Sequence, residues 1–543
     1  MRPLLLYNAN IVTVDEALPR ATALLAENGR ISRVGESADL LASCPPGTQK
    51  RDMKGRTILP GFVDGHSHIT MACLFRRFPS PPVGDIDTVE KLVEAARAEF
   101  DRKPPAMGKW FVGQGYDNAA FPGGGHPTCR DLDRISMTVP VLMMHVSGHV
   151  GVVNSAALQS LGITRQTPSP AGGVIGRWSD GAPNGLLEEK ALTDTLSRLG
   201  AKVLPPLGEL LDLPVKAQKM YASYGITTAQ DGAAAASVSL LYRQAGLRGK
   251  MMLDVTSYML LDGNNRKALK DVDSRVVRYR DHYRVAGAKL LLDGSPQAKT
   301  AWLSQPYYVV PEGKPQDYSG FPIYENGNTV GGLFAECLRS NWQVLVHCNG
   351  DAACQQMIDQ YRRALELTGV KADLRPVMIH AQTVRDDQLD QMKELGITPS
   401  FYHDHTYYWG DYHMASVLGP QRGSRISPLR TALDKGIRFT IHQDTPVVPP
   451  NMLFSIHCAV NRVTCTGQPI GQEQCIPPLE AIKAVTINSA WQCHEDDRKG
   501  SISPRKLADL VVLDADPTAV PKEAIKDIRV LETIKEGRTV YRA

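Results

Sequence analysis

TILPGFVDG, residues 57–65, is a short apolar run closed by glycine, and His66-Ser67-His68 follows it directly. A run of this length bounded by turn residues reads as a buried strand. Side chains alternate along an extended segment, so His66 and His68 project to one face. Seven further runs share this form: ITTAQDG (226–232), MLDVTSYML (252–260), AKLLLDG (288–294), QVLVHCNG (343–350), PVMIHAQ (376–382), ITPSFYH (397–403) and RFTIHQD (438–444). Amphipathic stretches separate them, the pattern of βα units on a parallel sheet. Eight such strands fit an α/β fold, a closed (β/α)8 TIM-like barrel. A ninth run, VPVLMMHV (139–146), lies between the first two strands. It is assigned to an insertion at about 75–215, rich in Gly and Pro and carrying the helix-like TVEKLVEAARAEF.

Both chain ends read differently. The first 60 residues alternate like strands, with Asn28-Gly29 as a hairpin turn signal. The last 40 do the same in LADLVVLDADP and IRVLETIKEGRTVYRA, with Glu536-Gly537 as the turn. The expectation is a small β-sandwich domain built from residues 1–57 and 501–543, beside a barrel domain of residues 58–500.

Composition sets the outer limits. The 543 residues are 43% hydrophobic and 22% charged, which excludes disorder and collagen-like structure. A net charge of +4 is too small for a nucleic-acid binder of this length. No stretch approaches 18 apolar residues, so no membrane span is expected. The N-terminal apolar run is interrupted at Tyr7 and Asn8, with no small-residue cleavage site after it, and does not read as a signal peptide. Ten scattered cysteines, none in a CxxC pair, read as reduced thiols in a cytoplasmic protein.

The polar residues in the apolar runs fall at strand ends. His66 and His68 follow the first strand, Lys289 sits in the fourth, and His347, His380 and Asp444 end the fifth, sixth and eighth. In a barrel those ends converge on one mouth, where active sites are built. Together they form a nitrogen and oxygen ligand set for Zn²⁺ or a similar divalent ion. Singly, each has an ordinary reading: a core histidine, an edge lysine, a helix-capping aspartate. Their ordered conjunction carries the inference.

PGFVDGHSH (60–68), VNSAAL (153–158), AKLLLDGS (288–295), VHCNGDAA (346–353), HAQTV (380–384), HQDTPV (442–447), TINSA (486–490) and KLADLVVLD (506–514) extend the pattern. This set resembles the amidohydrolase superfamily, specifically its YtcJ-like branch, which includes N-substituted formamide deformylases. The resemblance covers essentially the whole chain. It implies the barrel beside a terminal β-sandwich, and one or two divalent metal ions, with zinc expected. The implied ligands are His66, His68, His347 and His380, with Asp444 at the catalytic water and a carbamylated Lys289 bridging two metals. Carbamylation requires a neutral lysine, and burial favours that form. Asp444 would take the water's proton and pass it to the leaving amine. A histidine would stabilise the oxyanion: His149, in HVSGHVGVVNSAAL, or His405.

FYHDHTYYWGDYHM (401–414) follows the seventh strand. His405, Tyr408 and Trp409 are expected to bind substrate there, which points to an apolar or aromatic substrate group. GQGYDNAAFPGG (113–124) is expected to form part of a lid. Three features depart from the family pattern. SPQAKTA (295–301) replaces a Gly-rich segment, Arg505 replaces a glycine, and His442 stands where relatives carry a small residue. His442 is expected to touch the ligands rather than bind metal. The implied activity is metal-dependent hydrolysis of a C–N bond, amide or N-formyl, in a small molecule. Deamination, ester hydrolysis, metal-assisted isomerisation and a silent binding scaffold are the alternatives. Partners are the substrate and, at most, a second copy in a homodimer; neither nucleic acid nor membrane is expected.

Overall fold

The apolar run at 57–65 divides in two. The computed structural model describes residues 2–81, 83–261, 265–311 and 313–543. In it Thr57–Pro60 pairs antiparallel with Leu510–Leu513 and parallel with Asn10–Val12, in a sheet made by both chain ends. Phe62–Val63 instead begins the barrel, parallel to Ile226–Ala234. The division falls where the sequence cannot continue a ladder. Pro60 has no N–H to give, and a Cβ on Gly61 would lie 2.4 Å from Thr227.

The other seven predicted barrel strands are present as Ile226–Ala234, Asp254–Leu260, Tyr283–Leu291, Gln343–Cys348, Val377–His380, Thr398–Tyr402 and Thr440–His442. With Phe62–Val63 they form one parallel sheet in chain order, a TIM-like barrel. First and last strands meet through single bonds. The His68 N–H donates to Thr445 O at 2.7 Å. The Gln492 amide donates to Gly65 O at 2.6 Å and accepts from the Thr440 hydroxyl at 2.7 Å.

Alternation sorts the barrel side chains. Val344 and Val346 join the core under the helices, while Leu345 joins the interior cluster with Tyr258, Val377 and Ile379. His347 shares the parity of Leu345 and so enters the interior. Lys289 lies between Ala288 and Leu290, which both face the helix side, and enters it too. Strict alternation would send His380 outward. Its backbone leaves strand geometry at φ 74°, and its ring meets His347.

The insertion folds around a six-stranded sheet that includes Phe111–Tyr116, Val141–His145, Val150–Val153 and Pro183–Glu189. The helix read at TVEKLVEAARAEF is Val89–Arg102, its first turn capped by Thr88, which accepts from the Lys91 N–H. The lid expectation for 113–124 does not hold for its first residues. Gly113–Tyr116 belong to a fully buried strand, and Asp117 after them is held by side-chain bonds.

At the chain ends, a four-stranded sheet (Leu4–Tyr7, Ala23–Glu27, Arg30–Gly35, Gln49–Asp52) lies against the six-stranded mixed sheet. Leu6, Leu24, Ile58, Leu510, Val512 and Ile534 are buried in one cluster between them. Asn28-Gly29 and Glu536-Gly537 turn with both φ angles positive, as tight hairpins require. Arg505 holds φ 77°, the conformation that a glycine takes without strain. None of the ten cysteines forms a disulfide. Among the described residues no helix is long and apolar enough to cross a membrane.

Candidate metal and active site

Glycines and amides set the first histidine. A Cβ on Gly232 would lie 1.9 Å from the His66 ring, so only glycine leaves the imidazole its place. The Gln230 amide donates to Gly65 O at 3.0 Å, which turns its oxygen toward His66 Nδ1 at 2.8 Å. His66 therefore carries its proton on Nδ1, and Nε2 is the lone-pair nitrogen. That atom lies 3.1 Å from Lys289 Nζ and 3.7 Å from Asp444 Oδ1. His68 Nε2 is 3.3 Å from the same Asp444 oxygen. Gln230 escaped the sequence reading; a lone glutamine inside the strand ITTAQDG was its only signal.

A second group adjoins the first. His347 Nε2 donates to Gly294 O at 2.9 Å, so its Nδ1 is the free nitrogen, and this faces His380 Nε2 at 2.9 Å. On the far side of His380, Nδ1 meets His442 Nε2 at 3.2 Å, and His442 Nδ1 meets the Ser400 hydroxyl at 2.8 Å. His442 thus backs His380, the place expected for it. Asp444 is backbone-strained at φ 56°, as His380 is at φ 74°; strain of this kind on non-glycine residues collects at functional sites.

Electrostatics favour metal ligation. Burial, reinforced by neighbouring cationic groups, holds His66, His347 and His380 well below the usual imidazole range. Burial takes His442 down to about 3. Neutral imidazole is the ligating form. Burial also brings Lys289, 1% exposed, from 10.5 down to about 7. Asp444 Oδ1 and His68 Nδ1 are buried without a hydrogen-bond partner. The donor atoms of His66, His68 and Asp444 lie within 4.8 Å of one another. Lone-pair nitrogens facing a bare carboxylate oxygen are the arrangement that a cation completes.

Beside this group opens a narrow cleft. His149, His347, His380 and Asp444 line its base, and Val146, Tyr402, Trp409 and Val447 its apolar wall. Ser295 and Gln297, from the SPQAKTA segment that departs from the family pattern, supply part of the polar wall.

The amidohydrolase family model matches residues 49–541. The chain belongs to the amidohydrolase family. It is 27% identical over 548 residues to the N-substituted formamide deformylase of Arthrobacter pascens, covering 100% of this chain and 98% of that one. It is 27% identical over 547 residues to YtcJ of Bacillus subtilis (strain 168), covering 98% of each. In fold it resembles the crystal structure of an uncharacterized metal-dependent hydrolase from Pyrococcus horikoshii OT3, with a TM-score of 0.73 and 23% identity over 96% of this chain and 99% of that one.

In this chain the aromatic segment divides its side chains. After the seventh barrel strand the backbone coils into a short helix, His405–Tyr408, and leaves helical geometry at Trp409, φ −124°. Trp409 reaches the cleft, its indole N–H donating to Asp117 Oδ2 of the insertion at 2.5 Å. His405 turns away. It is fully buried, 2.9 Å from the Ser427 hydroxyl and packed against His413. Tyr408 lies beside Phe454 with ring centres 5.5 Å apart. Neither His405 nor Tyr408 lines the cleft, contrary to the substrate-binding roles expected of them. Asp117 was not foreseen; it is an aspartate whose partner lies 292 residues away.

Proposed function

We propose that this protein is a metal-dependent hydrolase that cleaves the C–N bond, amide or N-formyl, of a small molecule bearing an apolar or aromatic group. One observation carries the reading. The donor atoms of His66, His68 and Asp444 lie within 4.8 Å of one another, Lys289 Nζ stands 3.1 Å from His66, and Asp444 opens onto a cleft walled by Trp409. His66, His68, His347, His380 and Asp444 would hold one or two divalent ions, zinc first among them, with Lys289 as a carbamate adding an oxygen ligand. Such an ion acidifies water and polarises a carbonyl.

The chain's own groups supply the rest. Asp444 Oδ1, which has no hydrogen-bond partner, accepts the water's proton and returns it to the leaving nitrogen. His149 donates from Nδ1 to Glu189 and, doubly protonated, presents Nε2–H to the carbonyl oxygen. Lys289, near 7, is substantially neutral at physiological pH, the state that reaction with CO₂ requires. Trp409, Tyr402, Val146 and Val447 bury the apolar group and exclude water. The name of the Arthrobacter relative favours N-formyl amines among the substrates to try first. The same reading includes a terminal β-sandwich domain from residues 1–57 and 501–543, supported by the buried cluster that the two terminal sheets share.

Replacing Lys289 with Ala tests it. The variant should lose bound metal and turnover of N-formyl aromatic amines, and short added carboxylates should restore part of both. A Lys289→Ala protein with parental metal content and rate would refute the assignment.

A further inference from the structure

Glu189 is a carboxylate that the fold has gone out of its way to bury. It is 3% exposed, at the end of strand Pro183–Glu189 in the insertion, with φ 50° and ψ −117°, a region L residues rarely occupy. It grips one residue at two points. Its backbone N–H donates to His149 O at 2.8 Å, and its Oε2 lies 2.8 Å from His149 Nδ1. Its other oxygen, Oε1, is buried without a hydrogen-bond partner. No lysine or arginine pairs with Glu189 among the described residues; its ion-pair partner is His149.

The barrel leaves room for this side chain. A Cβ on Gly294 would lie 2.1 Å from Glu189 Oε1, and the same glycine's carbonyl takes the His347 N–H. Glu189 therefore wedges between the insertion and the segment that follows Lys289. On its cleft side, the His149 ring lies over His347 with centroids 4.7 Å apart.

A carboxylate only accepts hydrogen bonds, so the nitrogen facing it must be protonated. His149 Nδ1 is thereby committed, and Nε2 is left to meet whatever enters the cleft. We infer that Glu189 is a positioning residue: by accepting the Nδ1–H of His149 it fixes the ring's orientation, so that Nε2–H, the donor that an oxyanion needs, is held toward the substrate's carbonyl oxygen. The inference rests on the proposed role of His149 and deepens it.

The experiment is a mutant cycle on the metal-loaded enzyme with an N-formyl aromatic amine as substrate. Glu189→Met fills the volume but removes the acceptor. It should lower kcat about 10- to 100-fold, the scale for carboxylates that orient histidines, while KM, metal content and melting temperature stay near parental values. Glu189→Gln keeps an oxygen acceptor and should recover most of the loss. In a His149→Ala background, Glu189→Met should cost nothing further. A crystal structure of Glu189→Met should show the His149 ring rotated or disordered above an unmoved His347. Equal losses for Met and Gln, or the same fractional loss with and without His149, would make Glu189 a brace of the fold and overturn the inference. A His149→Ala enzyme at the parental rate would instead overturn the role of His149 itself, and with it any positioning by Glu189.

Discussion

The two rims of the barrel bury the same kinds of side chain to opposite ends. At the rim where the strands begin, Asp254, Glu495 and Asp509 meet Lys499, Lys535 and Arg284. Lys499 lies 2.7 Å from Asp254 and 2.6 Å from Glu495; Lys535 lies 2.7 Å from Asp254 and 2.8 Å from Asp509; Arg284 lies 3.2 Å from Glu495. Three acids offset three bases. At the rim where the strands end, Lys289 is equally buried, yet among the described residues it makes no ion pair and meets an imidazole nitrogen instead. Burial penalises all three lysines. The acids reverse that penalty for Lys499 and Lys535, whose ammonium groups are held above the usual range, whereas Lys289 drops to about 7. Burial alone therefore does not mark a functional lysine. Burial without an ion pair is what sets Lys289 apart from Lys499 and Lys535.

This contrast can be broken at either rim. The largest effect is expected at the mouth. Asp444→Asn should reduce kcat about 10²- to 10⁴-fold for every substrate, the range for a lost general base, with little change in unfolding midpoint. Parental kcat would remove Asp444 from the proton path.

At the opposite rim the loss should be in stability. Lys535→Ala leaves Asp254 and Asp509 short of a partner, at a cost of about 3–5 kcal/mol, measured by denaturant unfolding, while kcat of the folded protein holds. The pH dependence follows in sign. Asp254 sits well below its ordinary 3.8, burial being outweighed by Lys499 and Lys535. Its contribution is present above 3.8 and lost as pH falls through the folded value. Parent and variant should therefore differ most near neutrality and converge in acid. A gap independent of pH would mean that packing, not charge, joins the C-terminal strands to the barrel.

The smallest effect is expected at the cleft wall. Trp409→Ala should lower kcat/KM about 10- to 100-fold for amides of aromatic or long-chain amines, matching roughly 1.5–3 kcal/mol for a buried ring. Short formamides should be nearly unaffected. Equal losses for large and small substrates would show that the indole serves the Asp117 bond rather than the substrate.

The barrel was legible because its strands are buried on both faces, so that each appears as an uninterrupted apolar run. The proposed ligand set stood out because His66, His68, Lys289, His347, His380 and Asp444 all interrupt or end such runs. The split at Pro60-Gly61 was not, since apolar residues serve equally well in either sheet, and only the close approach of Thr227 marks the boundary. Trp409 and His405 are four residues apart in one aromatic segment and equally plausible as substrate contacts. The helix ends at Tyr408, and the turn out of it at Trp409 sends the indole toward Asp117 while His405 meets Ser427. Glu189 left no trace in GLLEEK, where two adjacent glutamates look alike. Its partner lies 40 residues away, and only the paired strands of the insertion bring it to His149.

The central claim is that the unpaired mouth of the barrel is built around a metal ion. Metal content of the purified protein, measured by mass spectrometry beside turnover of an N-formyl aromatic amine, tests this most directly. The account predicts at least one divalent ion per chain, lost together with turnover on chelation and regained with it when zinc is added back. Full turnover in rigorously metal-free protein would contradict it.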